Sequence, residues 1–295
     1  MTNHHRAGTL ATADTLVTVT PDLAGWTYCG LEVFDLAAGP ARRVLHGVEA
    51  VLVPLSATDV QVTVDGSDHA LRGRVGVFDA VSDWMYLPLG SEVVVSGTSG
   101  EVALCTARAT EHFPVQVTAA EDVPVEVRGG GRATRQVTNI ATPDSFRGAD
   151  RINVCEVLTP GGNVSSWPPH RHDGIGDCAP VNEEIYYFRM GRLDEPHGHP
   201  HGQGLFRVYA ADGGSDETVT VLDGDVHLVP AGYHGPSTAQ PEYPMYFLNV
   251  LAGPGPERTM AFCDDPDHHW IRATWEDAGQ DPRLPMTSAT GRVVR

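Results

Sequence analysis

Two histidines one residue apart, His170 and His172, stand in the run GGNVSSWPPHRHD (161–173). If that run is extended, side chains two apart share a face, which aims both imidazoles one way and Arg171 the other. Glu184 lies in EEIYYFRMG (183–191), where Tyr186 and Phe188 share its face. His234 follows the Pro-x-Gly turn that ends the strand-like run GDVHLVPAGYH (224–234). Three imidazoles and one carboxylate converging inside a β-barrel make a mixed nitrogen–oxygen set for a divalent cation, with zinc, manganese and iron all acceptable. His170, His172, Glu184 and His234 are therefore the candidate ligands. Glu183, on the opposite face from Glu184, is a rival.

Composition narrows the chemistry further. All 20 basic residues among the 295 are arginine. Without a lysine amine the chain has no Schiff-base former, no pyridoxal-phosphate anchor and no P-loop lysine, so carbonyl chemistry falls to a metal, a carboxylate, a histidine or a tyrosine. The net charge of −18 argues against a phosphate-backbone partner, and nucleic acid is set aside. Cys29, Cys105, Cys155, Cys178 and Cys263 are odd in number, far apart and never in a CxxC, which predicts reduced thiols in a cytoplasmic protein. The opening MTNHHRAGTLATADT lacks a signal-peptide core, and no apolar run approaches the roughly 18 residues of a membrane span.

The elements that must position these residues read as short strands. LVTVT (16–20), GLEVFDL (30–36), AVLVPL (50–55), DVQVTVDG (59–66) and SEVVVSG (91–97) are rich in valine and roughly alternate. Turn residues about every ten positions indicate an antiparallel sandwich or barrel. RGGGRATRQ (128–136) is the candidate linker, because three glycines offer nothing to pack. Beyond it the strand pattern restarts, and VFDAVSDWMYLPLG (77–90) echoes VLDGDVHLVPAG (221–232), a weak internal repeat. The first half lacks the histidine set, since no histidine follows Pro88-x-Gly90. The stretch 262–285 has no strand period and is expected to be a tail anchored by Trp270 and Trp275. His197, His199 and His201, among Pro and Gly, predict a flexible loop rather than a second metal site.

The order of HxH, acidic strand and Pro-x-Gly-x-His resembles the two cupin motifs. Glu184 to Gly191 keeps the E-x₆-G step, and Gly224, Pro230 and Gly232 lead to His234 with one residue fewer than usual before the histidine. The gap from His172 to Glu184 is much longer than the motif's. This resemblance implies an all-β protein of two tandem cupin domains, each a double-stranded β-helix or jelly roll. The first (1–130) would be degenerate and metal-free; the second (131–295) would bind the metal and carry the tail.

A narrower resemblance covers nearly the whole chain. SSWPPHRHD with EEIYYFR, FRVY, DGDVHLVPAGYH, YFLNVLAGP and DPDHHWI, together with GWTYCGLEVFDL (25–36) and the RGGGRATRQV region, closely resembles the 5-deoxy-glucuronate isomerases of myo-inositol catabolism. Arg171 stands where that family usually carries lysine, and Phe206 where a glutamine is expected. The resemblance implies a metal-dependent aldose–ketose isomerase, an intramolecular oxidoreductase that converts the sugar acid 5-deoxy-D-glucuronate to 2-deoxy-5-keto-D-gluconate. The metal would do what a lysine iminium does elsewhere. Tyr186 and Tyr246 are the candidate proton-transfer groups, with Tyr187 and Glu183 beside them, although a hydride shift would need no base. Arg207, ahead of Arg189 and Arg151, is the candidate for the substrate carboxylate, which a guanidinium binds bidentately. The alternatives are a related uronate isomerase, an iron(II) cupin dioxygenase and a non-catalytic sugar-acid-binding bicupin. Valine-rich edge strands point to a homodimer.

Overall fold

A computed structural model of the chain describes residues 3–192 and 195–293. The valine-rich segments form strands for the reason their pattern suggests. Thr58–Val64 buries Val60, Val62 and Val64 and leaves Asp59 and Gln61 in solvent, the mark of a strand covered on one side. Met245–Ala252 is buried along its whole length and carries apolar residues on both faces, as a strand between two layers must.

Among the described residues four larger antiparallel sheets form two sandwiches, beside a two-stranded ribbon of Thr287–Ser288 and Gly291–Arg292. The first half pairs a four-stranded sheet with a six-stranded one; the second pairs a seven-stranded sheet with a six-stranded one. Residue parity assigns the cores. Leu52 and Phe34 fill the first sandwich, while Tyr186, Phe188 and Phe247 fill the second. The alternate residues Val51, Val53, Ile185, Tyr187 and Tyr246 form a third apolar layer where the two larger sheets meet.

The repeat is visible in the topology. In the first half, strands Trp84–Leu87, Val48–Pro54, Glu101–Arg108 and Cys29–Asp35 are neighbours in that order; in the second, Val226–Val229, Glu183–Met190, Met245–Ala252 and Asn153–Thr159 are. Each first-named strand runs into the same turn, with Gly90 (φ 86°) and Gly232 (φ 94°) in the left-handed region that glycine occupies freely.

Three expectations are corrected. The glycine-rich segment is not a linker. Val125–Arg128 pairs with Arg135–Thr138, so residues 129–134 are the turn of a hairpin already in the second half's sheet. Its glycines serve close approach, since a Cβ on Gly130 would lie 2.6 Å from the Trp275 Cα. At the other end of that sheet, His4–His5 pairs with Val226–Val229, so the N-terminus straps the second half. Cys178 and Cys263 form a disulfide; the remaining cysteines, Cys29, Cys105 and Cys155, are free and buried. The strand His170–Arg171 pairs with Cys263–Asp264, and the long loop that follows it, closed by a bridge of Asp173 to Val181, carries Cys178 to Cys263. Trp275 packs as expected against Gly130 and beneath the Arg135 guanidinium, but Trp270 is 64% exposed and stands largely in solvent. Among the described residues no helix is long and apolar enough to cross a membrane.

Candidate metal centre

The short strand His170–Arg171 lies antiparallel to Tyr233–Ala239, with His170 directly opposite His234. Glu184 faces them from the neighbouring sheet. The side chains of His172, Glu184 and His234 are buried, and their ligand atoms lie within 4.8 Å of one another. The Nε2 atoms of His172 and His234 stand 3.0 and 3.1 Å from the same oxygen, Glu184 Oε2.

The opposite ring nitrogens explain that aim. His172 Nδ1 lies 2.8 Å from the Asn182 carbonyl and His234 Nδ1 3.2 Å from the Gly232 carbonyl. A carbonyl only accepts, so each Nδ1 donates and each Nε2 is left with a lone pair facing inward, the tautomer a metal ligand needs. His234 Nε2 is buried with no hydrogen-bond partner. Two inward nitrogens, one of them orphaned, around a carboxylate oxygen fit a divalent cation.

His170 stands beside this triad, its ring 4.5 Å from that of His234 and 4.7 Å from Phe262. Burial, then the neighbouring His234 and His172, push its pKa far below the usual histidine value, keeping it neutral. Burial opposes the charge of Glu184, yet the two imidazoles crowded against its Oε2 hold its carboxyl well below the normal carboxylate range. For His172, burial is outweighed by the Glu184 carboxylate, which raises its pKa.

Glu183 is turned away from the triad. Its carboxylate accepts the backbone N–H groups of Thr27, Tyr28 and Cys29 at 2.6, 2.7 and 2.9 Å, tying the two halves together. Tyr186 faces the site: its hydroxyl is 3.4 Å from Ser166 Oγ, and its ring packs on Phe206. Burial and the charge of Glu184 raise its pKa far above the usual phenol value. Arg171 points away from the triad but is only 5% exposed, paired with Asp173 and Asp177 and set over the Tyr233 ring.

The other predicted residues lie elsewhere. Tyr246 has the opposite parity to Phe247 and so sits in the layer between the halves, donating to Glu156 at 2.7 Å beside the buried Arg74–Glu156 pair. Arg189 is engaged by Glu101 and by Asp223 at 2.9 Å, also between the halves. Arg207 lies outside, paired at 2.7 Å with Asp216 and stacked on Tyr209. Tyr187 shares the interlayer core, and Arg151 donates to the Gly255 carbonyl. Among the described residues His197, His199 and His201 form no ligand cluster.

A cavity of about 300 Å³ opens from the triad along the concave face of the seven-stranded sheet. Its lining includes Arg128, Arg135, Arg272 and Asn249, none of them singled out by motif. Arg128 and Arg135 alternate with Val127 and Gln136 on a hairpin, a strand signal that the glycines between them obscure.

Comparison with known proteins agrees with this architecture. The KduI/IolB family profile matches residues 4–271. A 5-deoxy-glucuronate isomerase of Geobacillus kaustophilus (strain HTA426) is 40% identical over 262 residues, covering 87% of this chain and 90% of its own. The Bacillus subtilis (strain 168) protein of the same name is 36% identical over 265 residues, 86% of this chain and 91% of that one. The crystal structure of an IolB-like protein from Salmonella typhimurium LT2 superposes with a TM-score of 0.80 at 33% identity, over 91% of this chain and 98% of that one. Bacillus subtilis oxalate decarboxylase, a bicupin, shares the fold alone, with a TM-score of 0.56 at 15% identity over 84% of this chain and 74% of its own. The architecture is that of a bicupin.

Proposed function

The chain belongs to the KduI/IolB family, and from that premise we propose that it is an isomerase that converts 5-deoxy-D-glucuronate to 2-deoxy-5-keto-D-gluconate in inositol breakdown, in the cytoplasm. The observation that carries this reading is the inward triad of His172, Glu184 and His234 at the floor of a sugar-sized cavity. These three, with His170 alongside, would hold a divalent metal. Such a cation supplies Lewis-acid polarisation of a carbonyl oxygen, the service that a lysine provides by imine formation in lysine-dependent isomerases. This chain has no lysine to do so.

The conversion moves one hydrogen from the hydroxyl-bearing carbon to the adjacent aldehyde carbon and one proton from that hydroxyl to the aldehyde oxygen, and leaves the overall atom count unchanged. The residues around the triad suit it. Ser166 and Tyr186 present hydroxyls on the cavity wall and can hydrogen-bond substrate oxygens. Met260 and Phe262 add apolar surface to the cavity wall, Phe262 against His170 beside the triad. The Nδ1 bonds of His172 and His234 hold both rings in place through the turnover.

The deciding experiment uses protein purified without a histidine tag. Elemental analysis identifies the bound metal, and NMR follows 5-deoxy-D-glucuronate. Expected are a metal near one equivalent per chain, turnover to the ketone, and collapse of both on His172→Ala. Metal-loaded protein that leaves the substrate unchanged, or that consumes oxygen in its presence, would refute the isomerase reading.

A further inference from the structure

Three arginines line the cavity, and two of them are neutralised. Arg128 donates to Glu126 at 2.6 Å, and Arg272 grips Asp264 with two nitrogens. Arg135 differs. It is 8% exposed, and among the described residues no carboxylate is paired with it; its guanidinium donates to the Ala133 carbonyl at 3.2 Å and lies 5.5 Å over the Trp275 ring. A buried guanidinium without a counter-ion is costly, and it is kept where an anion will arrive.

The surroundings accentuate this surplus charge. Burial, then the nearby Arg128 and Arg272, push the Arg135 pKa down to about 9. Arg135, Tyr186, His170, His172 and Glu184 line the same walls, so the guanidinium and the metal ligands belong to one cavity. The hairpin is built around the pocket: a Cβ on Gly129 would come within 2.8 Å of Arg135 Nη1 and 2.1 Å of the Ala133 oxygen. On the same face Asn249 is 4% exposed, and its buried side-chain N–H₂ has no partner, a donor suited to a sugar hydroxyl.

Resting on the isomerase reading, we propose that Arg135 receives the carboxylate of the sugar acid. The substrate then lies along the concave face with its charged end on the hairpin 125–138 and its carbonyl end at His172, Glu184 and His234. Asn249 lies between these ends. Arg135 thus confers the preference for a uronate over a neutral sugar, in place of Arg207 and Arg189, whose carboxylate partners occupy them outside the cavity.

The test compares wild type with Arg135→Met and Arg135→Lys, each checked for metal content and circular dichroism. KM for 5-deoxy-D-glucuronate should rise about a hundredfold in Arg135→Met, with a smaller change in kcat, because one partner of a buried charge pair is gone. Binding of D-glucuronate and of its neutral amide, measured by calorimetry, should differ in wild type and converge in Arg135→Met. Arg135→Lys should restore part of the difference. An Arg135→Met KM within about twofold of wild type, or equal weakening of acid and amide, overturns the proposal. If Arg135→Met fails to fold, Arg135→Lys decides: unchanged acid-over-amide preference there, where a bidentate fork has become a point charge, also overturns it. Wild type that prefers the acid through Arg135 yet turns over nothing would refute the isomerase reading and leave this assignment standing.

Discussion

His172 and Glu184, twelve residues apart in sequence, meet at 3.0 Å between Nε2 and Oε2, while the other ring nitrogen of His172 is held at 2.8 Å by the carbonyl of Asn182. The loop that lengthens the cupin motif ends at Asn182, so it does more than separate two ligands. Its last residues return to orient the first of them.

Replacing Glu184 by Gln keeps the volume and removes the charge that both histidines face. Metal affinity should fall at least about tenfold, since even groups that merely orient a ligand contribute that much. Elemental analysis after dialysis against a weak chelator reads the loss. Full occupancy in Glu184→Gln would remove Glu184 from the ligand set.

Tyr246→Phe separates catalysis from packing. The hydroxyl donates at 2.7 Å to Glu156, which the buried Arg74 guanidinium also holds. Deleting it leaves Glu156 with one donor fewer in a dry layer and should cost about 1–2 kcal/mol of stability, visible as a lower denaturation midpoint. KM and kcat should stay at wild-type values. A collapse of kcat with unchanged stability would return Tyr246 to the proton-transfer role that its place beside the motifs suggests.

That misplacement marks the limit of what could be read without coordinates. HxH and Pro-x-Gly-x-His were legible because strand parity sets the face and the motif supplies the partner. Met245–Ala252 is apolar on both sides, so nothing in its pattern tells whether Tyr246 or Phe247 meets the pocket. Arg207 and Arg189 lie near the motifs in sequence, but their carboxylates come from elsewhere, Asp216 and Glu101 from other strands and Asp223 from a turn. Arg135 was hidden because three glycines look like a linker until a second strand pairs across them. Glu183 looked like a rival ligand, and its partners, three backbone amides more than 150 residues away, leave no trace in local sequence.

The N-terminal strap should be acid-sensitive. Asp225 is opposed by burial but accepts from His4, Leu222 N and Ala7 N, and its pKa lies below the ordinary 3.8. A depressed folded-state pKa contributes stability above the unfolded value and loses it as pH falls through the folded one. Amides of residues 4–8 should therefore remain protected at neutral pH and exchange faster below 3.8, ahead of the strand Glu183–Met190. Asp225→Asn should release them at neutral pH. Protection that is the same at pH 3 and pH 7 would mean that the strand pairing alone holds the strap.

The Cys178–Cys263 bond joins the insertion loop to the strand that follows Phe262, and Phe262 packs on His170. It closes a loop across 85 positions, for which chain entropy gives up to about 4.6 kcal/mol. Part of that is local, because the bond pins one wall of the cavity beside the triad. Oxidised protein, once denatured, should titrate three thiols, those of Cys29, Cys105 and Cys155, and reduction should add two. Mild reduction should speed amide exchange in residues 174–182, lower the melting temperature and raise KM, while bound metal stays in place because none of its candidate ligands is a cysteine. Cys178→Ser should reproduce the reduced state without a reductant. Loss of metal on reduction would show instead that the loop, through the Asn182 carbonyl, governs His172 itself.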